Sequence, residues 1–399
     1  MKYRLCFFRS YLFFFALAFL GLAGTTCASS RGWIVYDSPN LGETNFLAGV
    51  SALSASDAWT VGYAYDASSL QITMAQHWDG AQWNTVSTPN PGTAQACGDP
   101  SFAGSELAGV DAISSSDVWA VGEICQPGIG KTLALHWDGS GWSAIPSPNK
   151  GINEDSELAS VVAIAPNDVW AVGNYQEAFQ YVWETLVEHW DGTSWKIVES
   201  PNPSDSEATY LTAVSGVASD DIWAVGYSQD GVKPLIEHWD GMAWSIVNAP
   251  YPAMSDFNGL YGVKAIAPND AWAVGYQNSN SSGQNGQGLI LHWDGATWSQ
   301  IESPIAGYAT ILLGVGAGSS TDVNAVGYVQ TRNVQFQPVT EHWNGTRWTV
   351  VKVAIPGRVG QLYGTDSADG STWAVGAYSL LPMTQGYMQN PSTLILKNR

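Results

Sequence analysis

The sequence is poor in charged residues, and positive charge is the scarcest. Charged residues make up 13% of the 399 residues, with 15 Lys and Arg against 35 Asp and Glu, so the formal net charge is −20. A surface of this sign repels the phosphates of nucleic acids and of anionic lipids. Neither nucleic-acid binding nor membrane insertion of the mature chain is therefore expected. A negative surface of this kind also favours solubility outside the cell.

The sequence also lacks the usual short signatures of catalysis and of metal binding. It contains no Gly-x-Ser-x-Gly motif, no phosphate-binding loop and no Cys/His spacing of a metal site, and each of these motifs has a defined chemical role where it occurs. The sequence therefore predicts no catalytic residue, no cofactor and no metal site.

The N-terminal segment differs from the rest of the chain. Three basic residues, Lys2, Arg4 and Arg9, precede an apolar run at Leu12–Leu22, and small residues follow it. This order is typical of a secretory signal, so residues 1–28 are predicted to be a signal peptide and the protein to be secreted or at the cell surface. An uncleaved anchor is the alternative, although the run is shorter than the ~20 residues of a membrane span.

Tryptophan and glycine are abundant, with 20 and 42 residues, and they recur in a repeated unit. The unit reads L-x-G-V-x-A, then D-x-W-A-V-G, H-W-D-G-x-x-W and S-P-N-P. Its first strand, strand a, begins at Leu47, Leu107, Leu158, Leu211, Leu260, Leu312 and Leu362. The steps between these leucines are 60, 51, 53, 49, 52 and 50 residues. That length holds four short strands, which is typical of a propeller blade.

The two ends of the chain complement each other. The last unit has strands a, b and c but no strand d, whereas residues 33–40 read as a strand d that precedes the first unit. The spacing from Trp33 to Leu47 is 14 residues, as in the two last d-to-a connections. The sequence therefore predicts an all-β, seven-bladed β-propeller with four-stranded blades over residues 31–399. The N-terminal strand closes the last blade and removes a free sheet edge.

Strands c and d are joined at an Asp-Gly pair in five units and at Asn344-Gly345 in a sixth. Glycine tolerates the positive φ that a primed hairpin turn demands. The pairs therefore predict primed turns between strands c and d.

The W-A-V-G and H-W-D-G-x-x-W segments resemble the BNR or Asp-box class of propellers, especially the tandem-repeat propellers of secreted bacterial proteins. The resemblance covers residues 31–399. The strict Asp-box pattern, Ser-x-Asp-x-Gly-x-Thr-Trp, is not met, because Asp and Gly are adjacent and one residue fewer precedes Trp. The resemblance implies a propeller, but the class includes sialidases, assembly factors and binding modules, so it implies no single function.

Residues that recur in the units are predicted to build the scaffold. Histidine occurs only in the H-W-[DN]-G motif, at His77, His136, His189, His238, His292 and His342. Strand c lies about two spacings of ~4.8 Å from the axial strand, too far for histidines of different blades to share a metal. A hydrogen-bonding role is predicted for them instead.

Two further repeated residue types are assigned to the scaffold. The Asp before W-A-V is predicted to bond local backbone amides in the turn between strands a and b. Of the 20 Trp, 19 occupy repeated positions and are predicted to pack between blades. The exception is Trp183.

Length variation is confined to one face of the predicted propeller. The spacing from strand c Trp to strand d Trp is always 5 residues, whereas strand d Trp to the next leucine varies from 14 to 24. The connection between strands b and c varies as well. In a four-stranded meander the b–c and d–a loops emerge on the same face, and variable loops on a rigid scaffold are where binding sites usually lie.

An aromatic arm is predicted on this face in the third unit. Phe179, Tyr181 and Trp183 alternate along the b–c connection, so their side chains share one side of an extended arm. Three such rings suit stacking on a sugar or anchoring a protein partner. The alternative is that they only cover the adjacent blade.

Further candidates flank the predicted channel mouth. Tyr227 and Tyr276 each follow the strand b glycine, and Glu106 and Glu157 directly precede strand a. The two glutamates are expected to place negative charge at the mouth, either as solvated acids or beside a bound cation.

Two cysteines remain outside the predicted signal peptide, Cys97 and Cys125. An even number of cysteines in an oxidising compartment predicts a disulfide bond between them.

The sequence favours a non-enzymatic extracellular binding module whose ligand is a glycan or a protein. The alternative is a sialidase-like glycoside hydrolase, which needs an arginine cluster to hold a carboxylate. The mature chain has five arginines, Arg31, Arg332, Arg347, Arg358 and Arg399. Two are terminal and three fall in or just after one unit, so they supply no cluster drawn from several blades.

Overall fold

The computed structural model describes residues 32–94, 103–126, 128–150, 155–177, 182–203, 208–228, 233–251, 257–278, 286–304, 306–384 and 386–398. They form seven sheets, each of four antiparallel strands. Across these ranges, no helix is long and apolar enough to cross a membrane. The first strand in the chain is β1, Ile34–Tyr36.

Six blades each contain four consecutive strands. Blade 1 has β2 (Thr44–Ser54), β3 (Asp57–Tyr65), β4 (Gln71–Trp78) and β5 (Trp83–Val86). Blade 2 has β6 (Ser105–Ser114), β7 (Asp117–Gln126), β8 (Ile129–Trp137) and β9 (Trp142–Ile145). Blade 3 has β10 (Ser156–Ala165), β11 (Asp168–Glu177), β12 (Val182–Trp190) and β13 (Trp195–Ile197).

Blades 4 to 6 repeat this order. Blade 4 has β14 (Thr209–Ala218), β15 (Asp221–Ser228), β16 (Lys233–Trp239) and β17 (Trp244–Ile246). Blade 5 has β18 (Phe257–Ala267), β19 (Asp270–Asn278), β20 (Gln287–Trp293) and β21 (Trp298–Ile301). Blade 6 has β22 (Ala309–Ser319), β23 (Asp322–Gln330), β24 (Phe336–Trp343) and β25 (Trp348–Val351).

Blade 7 joins the two ends of the chain. It contains β26 (Val359–Ala368), β27 (Ser371–Ser379) and β28 (Ser392–Asn398), and β1 pairs antiparallel with β28 as its fourth strand. The register places Val35 opposite Leu396. The predicted seven-bladed propeller, and its closure by the N-terminal strand, are confirmed.

The strand a motif produces a β-bulge in every blade. In blade 1 the register between β2 and β3 shifts between Leu47 and Gly49. The W-A-V-G glycine faces this irregular stretch, because a Cβ on Gly62 would lie 2.0 Å from the carbonyl oxygen of Phe46. Only glycine allows strands a and b to approach this closely, and the bulge then sets how the start of strand a faces the channel.

Tryptophans form the contacts between blades, as predicted. Trp223 of strand b in blade 4 is buried, and its ring centroid lies 4.9 Å from that of Trp293 and 5.2 Å from that of Trp298, both in blade 5. The same trio recurs between other blades. In blade 6 the strand b position is Asn324, and its amide lies near Thr372 of blade 7. Each blade thus shares its apolar core with the next.

Each of the six histidines hydrogen-bonds the strand b aspartate of its own blade. The Nε2–Oδ1 distances are 2.8 or 2.9 Å in the pairs His77–Asp57, His136–Asp117, His189–Asp168, His238–Asp221, His292–Asp270 and His342–Asp322. The hydrogen-bonding role of the histidines was predicted, and the aspartates, which were expected to bond local amides, bond the histidine of strand c. In blade 1, His77 lies opposite Trp59 in the register, so Asp57, two residues before Trp59, is its diagonal neighbour on the adjacent strand.

The c–d turns differ from the prediction in type. Trp78 pairs with Trp83, so the loop between them has four residues rather than the two of a primed hairpin turn. Asp79 accepts hydrogen bonds from the backbone amides of Ala81 and Gln82, and Gly80 has the predicted positive φ, +92°. The turn aspartate, not the strand b aspartate, therefore makes the local amide bonds.

Candidate ligand-binding site

Two residues from each blade meet where strands a and b reach the face of the variable loops. The residue before the strand a leucine lies opposite the residue after the strand b glycine. These cross-strand pairs are Phe46 and Tyr63, Glu106 and Glu123, Glu157 and Asn174, Tyr210 and Tyr227, Gly259 and Tyr276, Ile311 and Tyr328, and Gln361 and Ala377. Strand a is the axial strand of a blade, so these pairs surround the mouth of the central channel.

Five aromatic residues of blades 3 to 5 form a continuous row, called here the aromatic arc. Trp183 contacts Tyr210, Tyr210 stacks on Tyr227, Tyr227 contacts Phe257, and Phe257 contacts Tyr276, with ring centroids 5.1 to 6.1 Å apart. All five side chains are partly exposed. Rings at this spacing gain from offset and edge contacts while keeping an apolar surface toward solvent.

Tyr261 of blade 5 lies at the centre of the tyrosines on this side of the mouth. Its ring contacts Tyr227, and burial together with the nearby phenols of Tyr227, Tyr328 and Tyr276 raises the pKa of its hydroxyl above the usual range. The hydroxyl stays protonated at physiological pH, so the group offers neutral hydrogen-bond donors beside apolar ring faces.

Glu106 and Glu157, in neighbouring blades 2 and 3, are called here the acidic pair. Glu106 Oε2 accepts a hydrogen bond of 3.1 Å from Gln71 Nε2, and Glu157 Oε1 accepts one of 2.9 Å from Asn174 Nδ2. Burial and then the charge of Glu157 raise the pKa of Glu106 to about 7, and burial raises the pKa of Glu157. Two desolvated carboxylates therefore share one side of the mouth.

The acidic pair and the aromatic arc are adjacent. Burial is the largest cause that raises the pKa of the Tyr227 hydroxyl, and the negative charge of Glu157 is the second. The charge of Glu157 also adds to the effects of burial and of Tyr227 that raise the pKa of Tyr210. A charge acts on a neighbouring titration in this way only at short range in a partly buried site. A ligand at the mouth can therefore touch rings and carboxylates together.

A channel of about 190 Å³ leads inward from the mouth. Just inside the mouth its wall is formed by Ala48, Ala108 and Ala159 in blades 1 to 3, but by the larger side chains of Tyr261, Leu313 and Tyr363 in blades 5 to 7. The free space therefore lies below the acidic pair.

A partly exposed ion pair crosses the inner end of the channel. Lys264 Nζ of blade 5 lies 2.8 Å from Asp366 Oδ1 of blade 7, passing blade 6, where the equivalent residue is Gly316. Asp366 and Lys264 thus form a polar floor, and Asp366 raises the pKa of the lysine ammonium further. Asp111 lies close enough to add to this effect.

The predicted site residues are brought together in part. Trp183 and Tyr227 belong to one row of rings through Tyr210, and Tyr276 continues the row through Phe257. Glu106 and Glu157 lie side by side at the same mouth. Phe179 and Tyr181 lie outside the described residues. Trp183 is part of β12 rather than of a loop, since the arm pairs out to Glu177 and Val182.

Tyr210, Phe257 and Tyr261 were missed by the sequence reasoning. Tyr210 occupies the same position before the strand a leucine as Glu106 and Glu157, so extending that comparison to blade 4 finds it. Tyr261 follows the leucine at a position that is alanine in the first three blades. Phe257 leaves no comparable signal, because it lies outside the repeated motif.

Two other predictions concern bound metal and the cysteines. No group of three or more His, Cys, Asp or Glu placed to hold a metal ion occurs in the described parts of the chain. Cys125 is buried near the end of β7. Cys97 lies outside the described residues, so the disulfide bond stays a prediction.

Comparison with known proteins supports the propeller fold and leaves the family open. No family model and no curated protein matches the sequence. A structure described as YCF48 bound to D1 peptide superposes over 93% of this chain and 96% of its own with a TM-score of 0.55 at 13% identity. The GH74 xyloglucanase of Xanthomonas campestris covers 92% of this chain and 67% of its own, with a TM-score of 0.42 at 10% identity.

Proposed function

We propose that the protein is a secreted or cell-surface binding module of the Asp-box-like type that holds a protein segment across the mouth of its channel. The observation that carries this proposal is the aromatic arc, a partly exposed row of five rings on the face of the variable loops. Soluble proteins seldom leave so many adjacent rings open to solvent without a partner, and aromatic anchors dominate recognition surfaces.

A protein ligand fits the site better than a glycan, because carboxylates lie beside the rings and a channel opens at the same mouth. An extended segment can lie along the arc and send one side chain inward, which uses both features. The structure described as YCF48 bound to D1 peptide also supports this choice, since it is a propeller of similar extent in complex with a peptide.

The test measures binding of the purified protein to an array of random eight-residue peptides and to a glycan array. We expect peptides to be retained, and Trp183→Ala to weaken their binding at least tenfold. Met242→Ala is the control, since Met242 is 87% exposed in a c–d turn, on the opposite face. Retention of glycans alone, or peptide binding that Trp183→Ala leaves unchanged, would overturn the proposal.

A glycoside hydrolase is the second candidate, and one observation favours it. Burial and the charge of Glu157 raise the pKa of Glu106 to about 7, and a carboxyl with a raised pKa beside a second carboxyl is the arrangement of a general acid and its partner. The residues that line the described channel include no arginine, which weighs against a sialidase. Release of reducing sugar from an arrayed glycan, lost in Glu106→Gln, would favour this candidate.

A further inference from the structure

The channel mouth is divided into two chemically different halves. One half of the mouth, formed by blades 4 to 7 and blade 1, carries tyrosines. They are Tyr210, Tyr227, Tyr261, Tyr276, Tyr328, Tyr363 and Tyr63. Blades 2 and 3 contribute Glu106 and Glu157, each directly before the strand a leucine, where blade 4 has Tyr210. A ligand group that enters the mouth therefore has ring faces on one side and carboxylates on the other.

We propose that this mouth recognises one arginine side chain of the bound protein segment, with the guanidinium between the acidic pair and the aromatic arc. This inference rests on the proposed function, since it names the residue that the segment must present. It concerns a partner protein and not a free cation, because the arc gives an apolar surface that a hydrated ion would leave unused.

Charge complementarity is the first reason for a cation. The hydrogen-bond donors to the acidic pair are the neutral amides of Gln71 and Asn174, and neither carboxylate has a cationic partner among the described residues. Lys264, deeper in the channel, is paired with Asp366. The protein as a whole has a formal charge of −20. A positive side chain is thus attracted from solution and relieves the repulsion within the pair.

The shape of the site favours arginine over lysine. A guanidinium is planar, stacks on aromatic faces, is weakly hydrated and donates to carboxylates in a fixed fork. The arc supplies stacking faces at Tyr210 and Tyr227, and Glu157 lies beside them. A lysine ammonium would use the carboxylates but lose more hydration and gain less from the rings.

The channel allows a long side chain to enter but not to pass. Ala48, Ala108 and Ala159 leave space next to the acidic half, and the Lys264–Asp366 pair closes the inner end. The inserted guanidinium is therefore held at the level of the acidic pair, where the rings are.

The experiment uses the peptides retained on the random array and resynthesises the best binders with each arginine replaced by citrulline, its neutral isostere, or by lysine. We expect arginine to be enriched at one position and its replacement by citrulline to weaken binding at least tenfold. The double variant Glu106→Gln, Glu157→Gln should bind the arginine and citrulline peptides with affinities within about twofold of each other. The reason is that the two carboxylates that interact with the guanidinium are absent from this variant.

The controls separate the possible results. Asp220→Asn removes one exposed charge in an a–b turn away from the mouth, and should keep the preference for arginine. The melting temperature of the double variant should not fall, since glutamine keeps the shape of a buried glutamate. Peptide binding without dependence on arginine would overturn this inference and leave the proposed function standing. Failure of every peptide to bind would overturn both.

Discussion

At the scale of single residues, the repeat keeps a position buried while its chemistry changes. The residue before the H-W motif is buried in all six blades that have the motif, yet it is glutamine at Gln76, leucine at Leu135 and Leu291, and glutamate at Glu188, Glu237 and Glu341. Ser147 donates to Glu188 and Ser303 donates to Glu341. Burial raises the pKa of all three carboxyls to about 8. These carboxyls are therefore protonated in the folded protein at neutral pH.

Glu237→Gln should raise stability at alkaline pH. Glu237 is 0% exposed, and neither of its carboxylate oxygens has a hydrogen-bond partner in the described structure. Its pKa is about 8 in the folded chain against 4.5 ordinarily. The folded state therefore holds the extra proton, so this contribution to stability is complete below pH 4.5 and is lost as pH rises toward 8.

The measurement is the free energy of unfolding in urea from pH 5 to pH 9. In the wild-type protein that energy should fall as pH rises between the two pKa values. Glu237→Gln should make this fall shallower by up to about 1.4 kcal/mol per pH unit. Glu302→Gln, an exposed position, is the control and should leave the slope unchanged. A slope identical in the wild-type protein and in Glu237→Gln would show that the buried carboxyl does not titrate as described.

Trp183→Ala should cost little stability, in contrast to a repeated tryptophan. Trp183 is partly exposed and contacts Tyr210 at 6.1 Å, whereas Trp223 is 2% exposed between blades 4 and 5. We expect Trp223→Ala to cost ~3–5 kcal/mol, as for a buried Trp, and Trp183→Ala to cost under about 1 kcal/mol. Denaturation in urea measures both. A loss at Trp183 as large as that at Trp223 would make it a packing residue.

At the scale of strands and turns, the sequence predicts what every blade repeats, including the tryptophans that pack between blades. It misses contacts between blades that involve residues outside the repeat. Strand order, closure and the positive φ of the turn glycines follow from local motifs, because each blade forms the same hydrogen bonds. The turn type was wrong because two tryptophans pair across a wider loop. The contact of Trp183 with Tyr210 joins blades 3 and 4, and Phe257 joins the row from blade 5. Such contacts depend on the rotation between blades, which a single repeat does not encode.

The longest loop offers a test at this scale, the disulfide between Cys97 and Cys125. Thr93 N donates to the carbonyl oxygen of Cys125, and Cys125 N donates to the carbonyl oxygen of Gly104. Residues on both sides of Cys97 are therefore held at Cys125. Titration of the unfolded, unreduced protein should find no free thiol at these two positions, and Cys125→Ser should cost roughly 3 kcal/mol for a loop of this size. Two titratable thiols would refute the bond.

At the scale of the whole molecule, the blades are linked in a ring at the inner end of the channel. Asp366 of blade 7 accepts a hydrogen bond from Ala52 N of blade 1. The same strand a position in blade 2, Asp111, accepts one from Ala163 N of blade 3. Each of these side chains joins one blade to the backbone of the next. The tryptophan trios join the same blades farther out, so closing the ring fixes both sets of contacts.

Deleting residues 31–40 should therefore destabilise the whole propeller rather than one edge. The deletion removes β1 and exposes β28 as a free edge, which invites pairing with other chains. It also removes Tyr36, whose ring packs on Trp78 of blade 1 and Trp373 of blade 7, and the bond from Trp33 Nε1 to Thr340 of blade 6. Three blades thus lose contacts at once.

We expect the deleted protein to melt at a markedly lower temperature or to aggregate, as measured by thermal denaturation and by size-exclusion chromatography. The matched control is Ile34→Thr, which changes a side chain that is 52% exposed but keeps the strand and its backbone hydrogen bonds. That variant should melt close to the wild-type protein, since threonine is a good strand former. If the deleted protein shows the wild-type melting curve, the N-terminal strand does not close the ring.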